Sequence, residues 1–278
     1  MIVLDLNQVL FATFFASVGK HTNIEIDENL IRHMALNSIR AINVKFRKEY
    51  GQMVIANDSI KNWRKEFFPY YKAARSKSRS ASDVDWKAVF ACLDQLKQDL
   101  QEFFPYKFIS VEYAEADDII GYLAQIANQP MLIVSGDKDF RQCHDEFVKQ
   151  YDTVHKRWVV EKDPTGFLAE HILTGDKGDG IPNILSDDNV FVLGNKQKAL
   201  TVKQRGLLKN IQHDKNHKYY RNYIRNQTLI DLRKTPIDIT AEIDKQFQAD
   251  PVSSNRSNIM PYFMKHRMKN LMETINDF

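Results

Sequence analysis

Carboxylate side chains follow four separate apolar runs in the first half of the sequence. Each run is short enough to be a buried strand, and the acids come directly after it or within a few residues. They are Asp5, then Asp58, then Glu115, Asp117 and Asp118, and finally Asp137 and Asp139. Because the carboxyl ends of neighbouring parallel strands meet at one edge of a sheet, these acids are expected to converge in one cleft.

Several carboxylates in one cleft repel one another, so they must protonate in part or hold cations. A divalent metal ion is the simpler solution. Oxygen ligands, without His or Cys at ligand spacing, favour Mg²⁺ or Mn²⁺ over Zn²⁺. Any one of these acids has an ordinary alternative, because Asp is common in turns and acids suit the first turn of a helix. Their recurrence after four apolar runs is what favours the metal site.

Two cations, Lys72 and Arg75, lie in a basic segment. Between Lys61 and Lys87 there are eight Lys or Arg residues and three acidic residues. On a helical turn, a spacing of three places both cations on one face, where they can hold one phosphate. For Ser76 to Ser82, a flexible and solvated linker fits the composition equally well.

A glycine-rich loop covers residues 174–183. Its three glycines and one proline rule out a continuous helix. Where side chains are absent the backbone approaches a ligand closely, so such a loop can donate main-chain groups to a nucleic-acid backbone. Asp176 and Asp179 of this loop would point toward a metal ion. A plain surface turn is the alternative.

The composition fits a globular protein with a sizeable core, since 43% of its 278 residues are hydrophobic. That length accommodates one large domain or two. No apolar run approaches a membrane span, and the start lacks the features of a signal peptide, so no membrane association is expected. Cys92 and Cys143 do not make a disulfide framework, and we predict that both are packing residues in a reducing cytoplasm.

Positive charge is concentrated late in the chain, although the net charge is only +3. Residues 195–234 contain eleven Lys or Arg residues against Asp214 and Asp231. With the acids concentrated earlier, this separation suits a protein that holds the backbone of a polyanion while collecting cations at one point. His213 and His217 have a spacing that zinc ligands use, but no third ligand accompanies them, so a solvated basic face is the better interpretation.

Strand and helix patterns alternate through the first two-thirds of the sequence. Residues 28–50 carry apolar side chains on one stripe, which is typical of an amphipathic helix, and Gly51 is placed to end it. Strands on either side of this helix predict a parallel sheet with right-handed crossovers. Further helices are predicted at 86–104, 204–211, 219–232 and 261–275, strands around a turn at 148–151 and 158–160, and a polar linker at 248–258.

Taken in order, these motifs resemble those of the flap endonuclease and 5′-exonuclease family, including its phage members. They are Asp5, Asp58, the Glu-Ala-Asp-Asp of 115–118, the Ser-Gly-Asp-Lys-Asp of 135–139 and the Gly-Asp-Lys-Gly-Asp-Gly-Ile-Pro of 175–182, which span roughly the first 185 residues. The resemblance implies an α/β fold with a PIN-like core, a central and mostly parallel sheet flanked by helices, at 1–165. It also implies a helical arch inserted at about 60–90, and a C-terminal helical domain at 166–278 with a helix-three-turn-helix.

The same resemblance assigns the acids to two divalent ions, Mg²⁺ with Mn²⁺ as a substitute, and assigns Lys72 and Arg75 of the arch to the scissile phosphate. The first ion would be held by Asp5, Asp58, Glu115, Asp117 and Asp137, with Asp118 beside them, and the second by Asp139, Asp176 and Asp179. Duplex DNA would be bound, with K⁺ in the glycine-rich loop, by Gly175, Lys177, Gly178, Gly180, Ile181, Lys196, Lys198, Lys203, Arg205 and Lys209. One departure is that residues 184–188 replace the glycine-rich turn that opens the next helix in many cellular members.

The implied activity is 5′-3′ exonuclease and flap endonuclease cleavage of DNA and RNA–DNA hybrids, as in the removal of RNA primers during phage lagging-strand replication. The substrates would be DNA with a 5′ end or 5′ flap and RNA–DNA hybrids. The implied protein partners are a phage single-stranded-DNA-binding protein, docking on the C-terminal helical part, and a sliding clamp. The protein would be a monomer in the host cytoplasm.

Two other classes of function remain open. A haloacid-dehalogenase-like phosphatase would use Asp5 as its nucleophile, and Asp137 with Asp139 superficially resembles a second motif of that family. That family needs an acid two residues after the nucleophile, where this chain has Asn7. A DNA-binding protein without catalysis would explain the basic segments but not the convergence of acids.

Overall fold

The computed structural model describes residues 1–18, 27–75, 84–208, 210–251 and 256–278. Its six-stranded sheet is made of β1 (Ile2–Asp5), β2 (Met53–Ala56), β3 (Lys107–Ile109), β4 (Met131–Val134), β5 (Val148–Asp152) and β6 (Arg157–Val159). The spatial order is β3-β2-β1-β4-β5-β6, and every neighbouring pair is parallel except β5 and β6. The predicted parallel sheet and the predicted strands around a turn are both confirmed.

Helices connect and flank these strands. They are α1 (Leu6–Val18), α2 (Glu28–Tyr50), α3 (Trp63–Phe67), α4 (Trp86–Phe103), α5 (Ala116–Gln125), α6 (Pro164–Thr174), α7 (Val202–Leu208), α8 (Tyr220–Ile230), α9 (Ile237–Gln248), α10 (Ile259–Lys265) and α11 (Lys269–Met272). The limits of α2 illustrate how local sequence sets them. The Asp27 side chain accepts a hydrogen bond from the Leu30 amide at 3.0 Å, and Gly51, at φ 81°, ends the helix.

The strand order places the acidic ends of three strands together. In the parallel register Asp5 pairs with Ala56, and Leu4 pairs with Val134. Asp58 and Asp137 each follow their strand by two or three residues. Because β1, β2 and β4 run in the same direction, these two acids and Asp5 emerge at the same edge of the sheet.

Alternate residues of the central strands pack on opposite faces of the sheet. Ile2 and Leu4 lie in one apolar cluster with residues of α1, α2 and α4, whereas Val3 lies in another with residues of α5 and α9. Every residue of β1, β2 and β4 is buried, as expected of strands that are covered on both faces. The central strands are therefore a rigid base for the acids that follow them.

The C-terminal segment returns to this sheet. Tyr262 and Phe278 are buried in the same apolar cluster as α2 and α4. The Tyr262 hydroxyl donates to Asp99 at 2.8 Å, and Asp99 also pairs with Arg32 at 3.3 Å. The region predicted as a C-terminal helical domain thus contributes to the core of the sheet, and it also packs a separate apolar cluster around α6 and α8.

One predicted helix is wrong as a single element. Residues 261–275 are divided because α10 ends at Lys265 and α11 begins at Lys269, with Arg267 between them at φ 56°, a value that helical backbone does not adopt. Ser76–Ser82 and Lys209 lie outside the described residues, as do residues 252–255 of the predicted linker at 248–258.

Two other sequence-based expectations concern cysteines and membranes. Cys92 and Cys143 are both free and pack beside apolar clusters, as predicted. Within the described parts of the chain, no helix combines the length and the apolar character needed to cross a bilayer.

Candidate metal and phosphate site

A cavity of about 790 Å³ opens at the acidic edge of the central strands. Five of the predicted metal ligands line it, together with both of the predicted phosphate-binding cations. These residues are Asp5, Asp58, Glu115, Asp117, Asp137, Lys72 and Arg75. The structure therefore brings together side chains that are up to 132 positions apart in the sequence (137 − 5).

Asp5 is the last residue of β1, and it is only 8% exposed. It accepts hydrogen bonds from the Gln8 amide at 3.2 Å and from the Ser135 hydroxyl at 3.0 Å. Burial and the nearby charge of Asp58 outweigh these hydrogen bonds and raise the pKa of Asp5 to about 7. The charged form of Asp5 is therefore disfavoured in these surroundings, and a bound cation would offset this effect.

The pKa values of Asp117 and Asp137 are raised as well. Burial has the largest effect on both. The charges of Glu115, Asp137 and Asp5 raise the pKa of Asp117 further, against the opposing charge of Lys72. Negative charge therefore accumulates where these carboxylates face one another, and a donor set made only of oxygen suits a hard divalent cation. The residues present fit the Mg²⁺ or Mn²⁺ that the family resemblance implies.

Glu115 differs from these carboxylates because cations contact it. Lys72 Nζ lies 2.7 Å from Oε1, while the Tyr71 hydroxyl and Arg64 Nη1 donate to Oε2 at 2.8 and 3.1 Å. Burial opposes ionisation, but the charges of Lys72 and Arg64 lower the pKa of Glu115 to about 2. Glu115 is therefore an anion held in a fixed position at the start of α5.

Asp118 is fully buried, and its oxygens are engaged inside the protein. It accepts hydrogen bonds from Arg64 at 2.8 and 2.9 Å, from Trp63 Nε1 at 3.2 Å and from the Thr235 hydroxyl at 2.8 Å. The Glu115 amide donates to it at 2.8 Å. The sequence-based prediction was that Asp118 lies beside the first ion. In the structure its carboxylate oxygens are instead used in these internal hydrogen bonds, because that face of α5 packs on Arg64.

Lys72 and Arg75 converge on Asp179. Arg75 Nη2 lies 2.7 Å from Asp179 Oδ1 and Lys72 Nζ lies 3.6 Å from Oδ2. The Tyr71 hydroxyl lies 3.0 Å from Oδ2 and 2.8 Å from Glu115 Oε2, so the two carboxylates share its single hydrogen. Lys72 has φ 53° and precedes the helical residues 73–75, so the two cations do not share a helical face in the predicted way. They nevertheless share one anion, because the turn at Lys72 brings both side chains toward it.

Asp139 and Asp176, predicted for the second ion, both contact His171. His171 Nε2 lies 3.3 Å from Asp139 Oδ1 and 3.5 Å from Asp176 Oδ2, and Lys138 Nζ lies 2.6 Å from Asp176 Oδ2. Burial disfavours the charged ring, but the two carboxylates outweigh this effect and raise the pKa of His171 to about 9. Sequence patterns did not indicate this residue. Its only local signal is a histidine one helical turn before the glycine-rich loop.

The glycine-rich loop is held against the turn that carries Lys72. The Lys72 amide donates to the Asp179 carbonyl at 2.8 Å. Gly180 has φ 74°, and a Cβ there would lie 2.8 Å from the Tyr70 carbonyl oxygen. Glycine is therefore required at position 180 by its backbone conformation and by the close approach of the two segments.

The predicted DNA-binding residues differ in exposure. Arg205 is ion-paired with Glu170, and the Ile181 side chain is buried in the apolar cluster around α6 and α8. His213 is exposed and lies apart from any group of three possible metal ligands among the described residues, where Asp139, His171 and Asp176 form such a group. The exposed residues are Lys177, Gly178, Lys196, Lys198 and Lys203.

Comparisons with known proteins found two family models and several relatives that match this chain. Residues 1–172 match the family model of the 5′-3′ exonuclease N-terminal, resolvase-like domain, and residues 167–278 match that of the T4 RNase H C-terminal part. The chain is 30% identical to ribonuclease H of Enterobacteria phage T4, over 99% of this chain and 95% of that protein. It is 27% identical to a 5′-3′ exonuclease of Buchnera aphidicola, over 76% of this chain and 72% of that protein.

The fold is similar to that of the bacteriophage T5 D15 flap endonuclease, solved with DNA and metal ions. That similarity has a TM-score of 0.64 at 16% identity, covering 89% of this chain and 97% of that one. The predicted α/β fold and the predicted resemblance, including that to phage members, are both confirmed.

Proposed function

The chain belongs to the 5′-3′ exonuclease family, and on that premise we propose that it is a divalent-metal-dependent nuclease that cuts phosphodiesters near the 5′ end of nucleic acids. It acts as a 5′-3′ exonuclease and flap endonuclease on DNA and on RNA–DNA hybrids. The observation that carries this proposal is the cavity in which five carboxylates lie together with Lys72 and Arg75. A phosphodiester is an anion, so its hydrolysis needs both groups of residues: acids that hold cations, and cations that hold the phosphate.

We assign the acids to two ions. Asp5, Asp58, Glu115, Asp117 and Asp137 would hold the first, and Asp139, Asp176 and Asp179 the second. When bound, such ions neutralise phosphate charge, lower the pKa of water and stabilise the leaving oxygen. Mg²⁺ is the expected ion, with Mn²⁺ as a substitute. Asp118 would help to orient Glu115, because its carboxylate accepts a hydrogen bond from the Glu115 amide.

Lys72 and Arg75 would hold the phosphate to be cut. Without substrate their charge is balanced by Glu115 and Asp179, so phosphate binding requires an exchange of partners. The Arg75 side chain is 49% exposed and that of Lys72 only 14%. Arg75, although paired with Asp179, is therefore the more accessible of the two cations and would contact the incoming nucleic acid first, while Lys72 acts close to the metal ligands.

The C-terminal part would bind the duplex backbone. Its proposed contacts are Gly175, Lys177, Gly178, Gly180, Ile181, Lys196, Lys198, Lys203, Arg205 and Lys209, with K⁺ held by carbonyls of the loop. Such contacts position the duplex without reading its sequence. The biological role would be removal of RNA primers in phage replication in the host cytoplasm, by a monomer that works with a single-stranded-DNA-binding protein and a sliding clamp.

The two alternative functions are not favoured. A haloacid-dehalogenase-like phosphatase needs an acid at the position of Asn7, and the Asn7 side chain instead donates a hydrogen bond to Asp58. A DNA-binding protein without catalysis leaves the converging acids unexplained, and two relatives of this chain are named as a ribonuclease H and a 5′-3′ exonuclease.

The test is cleavage of a 5′-labelled RNA–DNA hybrid and of a 5′-flap DNA in Mg²⁺, with p-nitrophenyl phosphate as a third substrate. We expect short labelled products from the two nucleic acids, none after chelation with EDTA, and no phosphate release from the third substrate. Asp117→Asn should lose cleavage. Glu242→Gln should retain cleavage, because Glu242 lies on α9, where its carboxylate accepts a hydrogen bond from Lys245. Cleavage that persists in EDTA, or wild-type protein without cleavage, would contradict the proposal.

A further inference from the structure

The proposed site of the second ion contains an imidazole nitrogen, that of His171, in addition to the carboxylates that the sequence predicted. We infer that His171 is a direct ligand of the second divalent ion, and that this site consequently prefers Mn²⁺ or another transition metal to Mg²⁺. The inference rests on the proposed metal-dependent function. It adds the identity of one ligand and the chemical class of one ion.

The spacing of the donor atoms suits a single ion. His171 Nε2 lies 3.3 Å from Asp139 Oδ1 and 3.5 Å from Asp176 Oδ2. Ligand atoms that lie about 2.1 Å from one ion are about 3.0 Å apart at right angles and about 3.4 Å apart in a tetrahedron. A charge-assisted hydrogen bond would be shorter, at about 2.7 to 2.9 Å. The observed distances therefore correspond to neighbouring ligands around one ion better than to a direct hydrogen bond.

Two of these donor atoms lack a hydrogen-bond partner among the residues that the structure describes. They are His171 Nε2 and Asp139 Oδ1, and both atoms are buried. The His171 side chain is only 6% exposed, so water does not readily satisfy it. A buried polar atom without a partner is destabilising. A cation bound between the ring nitrogen and the carboxylates would satisfy both atoms at once.

The ring and one carboxylate are already oriented for this role. Phe167 stacks on the His171 ring, with centroids 5.6 Å apart and planes 10° apart. Asp176 Oδ1 accepts a hydrogen bond from the Asp179 amide at 3.1 Å, which leaves Oδ2 for the contact with His171. Lys138 Nζ also contacts Oδ2, but its side chain is 49% exposed and can move into solvent. Ligands held in advance in this way increase metal affinity.

An imidazole ligand changes the preference among ions. Mg²⁺ favours oxygen ligands, whereas Mn²⁺, Co²⁺ and Zn²⁺ accept imidazole nitrogen. Ligation needs a free lone pair on Nε2, so binding of the ion releases the ring proton. The first site, whose donors are all oxygen, keeps its preference for a hard ion. The two sites would therefore differ in the metal that fills them best.

The primary test is pulsed electron paramagnetic resonance of Mn²⁺ bound to the wild-type protein, prepared with natural histidine and with ¹⁵N-histidine. We expect a directly coordinated nitrogen whose coupling to Mn²⁺ changes from the ¹⁴N to the ¹⁵N pattern on labelling. This measurement requires neither activity nor a folded variant. Bound Mn²⁺ without nitrogen coupling, or no Mn²⁺ binding at all, would overturn the inference.

Substitutions identify which histidine is responsible. His171→Gln should remove the coupling and weaken Mn²⁺ binding at one site by about 10- to 100-fold, with a smaller effect on Mg²⁺. His213→Gln, at an exposed histidine, should change neither. Coupling that persists in His171→Gln would overturn the inference. Cleavage in Mg²⁺ separates the two proposals: wild-type protein that cleaves but lacks the coupling contradicts only the ligand, and protein with the coupling but no cleavage contradicts only the nuclease.

Discussion

Arg64 and Asp118 form a two-pronged ion pair in the protein interior, with Arg64 Nη1 donating to Oδ2 at 2.9 Å and Nη2 donating to Oδ1 at 2.8 Å. Both side chains are at most 2% exposed. Arg64 also donates to Glu115 Oε2 at 3.1 Å and, through Nε, to the Leu229 carbonyl of α8 at 3.0 Å. A proposed metal ligand is therefore linked to the C-terminal part through one side chain.

Arg64→Met should strongly destabilise the protein. It leaves Asp118 buried without its cation and Glu115 with Lys72 alone, and breaking a buried ion pair costs about 3 to 5 kcal/mol. We expect the free energy of unfolding, measured by urea denaturation, to fall by that amount. The control is Arg40→Met, because Arg40 pairs with Asp277 where the side chains are 25% and 29% exposed. The Arg40→Met variant should lose about 1 kcal/mol or less of its unfolding free energy. Equal losses of unfolding free energy in the two variants would show that the burial of the Arg64 contacts adds nothing to stability.

Crystals soaked in Mn²⁺ should contain two ions among the assigned acids and none at His213 or His217. The oxygen-rich cavity matches a hard cation, and the histidine pair lacks further ligands. Anomalous scattering at the manganese edge locates the ions. Zinc bound by His213 and His217 in a native preparation would contradict this expectation.

Asp137→Asn should separate binding from chemistry. The change keeps the shape of the side chain but removes one charge and one strong metal ligand. Single-turnover cleavage should fall by several orders of magnitude, because the metal contribution to transition-state stabilisation is large. Affinity for a 5′-flap DNA, measured by fluorescence anisotropy, should persist. Cleavage near the wild-type rate would rule out the role assigned to Asp137.

Asp179→Asn should reduce cleavage less than Asp137→Asn does. Lys72 and Arg75 already contact Asp179, so its oxygens are less available to an ion than those of Asp137. A neutral oxygen can replace part of what Asp179 contributes. The same single-turnover assay compares the two variants. Equal losses would contradict this ranking but not the metal site itself.

Lys196→Ala and Lys203→Ala should weaken duplex binding and flatten its dependence on salt. The slope of log affinity against log salt concentration should change by about 0.9 for each phosphate that the variant no longer neutralises. Turnover at saturating substrate should change little, since positioning and not chemistry is affected. Lys245→Ala is the control, because Lys245 is exposed on α9 and pairs with Glu242. Unchanged slopes for the first two variants would mean that these lysines only face solvent.

Stability should depend on pH through Asp188, which lies between α6 and α7 and pairs with Arg221 and Arg225 of α8. Burial opposes ionisation, but hydrogen bonds from Arg221 and Arg225 lower the pKa of Asp188 below its ordinary value. A folded-state pKa below the unfolded one, about 3.9, means that the contact stabilises the protein fully at pH 7 and that the effect is lost as pH falls below about 4. The difference in unfolding free energy between wild type and Asp188→Asn should shrink accordingly.

Urea unfolding between pH 7 and pH 3 measures this difference. Asp187→Asn is the matched control, since Asp187 is 81% exposed and lies 3.9 Å from Lys198. It should change stability little at any pH. A constant difference between wild type and Asp188→Asn across this range would contradict the pH dependence.

The sequence alone determined the parallel sheet and the acidic cavity. Apolar runs mark strands, and Asp5, Asp58 and Asp137 follow those runs as purely local features. Parallel strands end at a common edge, so the convergence of these acids required only that β1, β2 and β4 be neighbours. The glycine-rich loop was equally visible, because its lack of helix-compatible residues is also local.

Tertiary packing decided which of these acidic side chains are available to bind a metal ion. It also decided which cations balance the charge of the others. Arg64 contacts residues that lie 51, 54 and 165 positions away in the sequence. Its neighbours in the sequence therefore do not indicate that it is buried, and a solvated cation is the natural prediction. His171 meets Asp139 only because α6 packs beside residues 138–143. Asp117 and Asp118 are adjacent in sequence but about 100° apart around α5. One therefore lines the cavity while the other is buried against Arg64, and the choice depends on which face of the helix the rest of the fold covers.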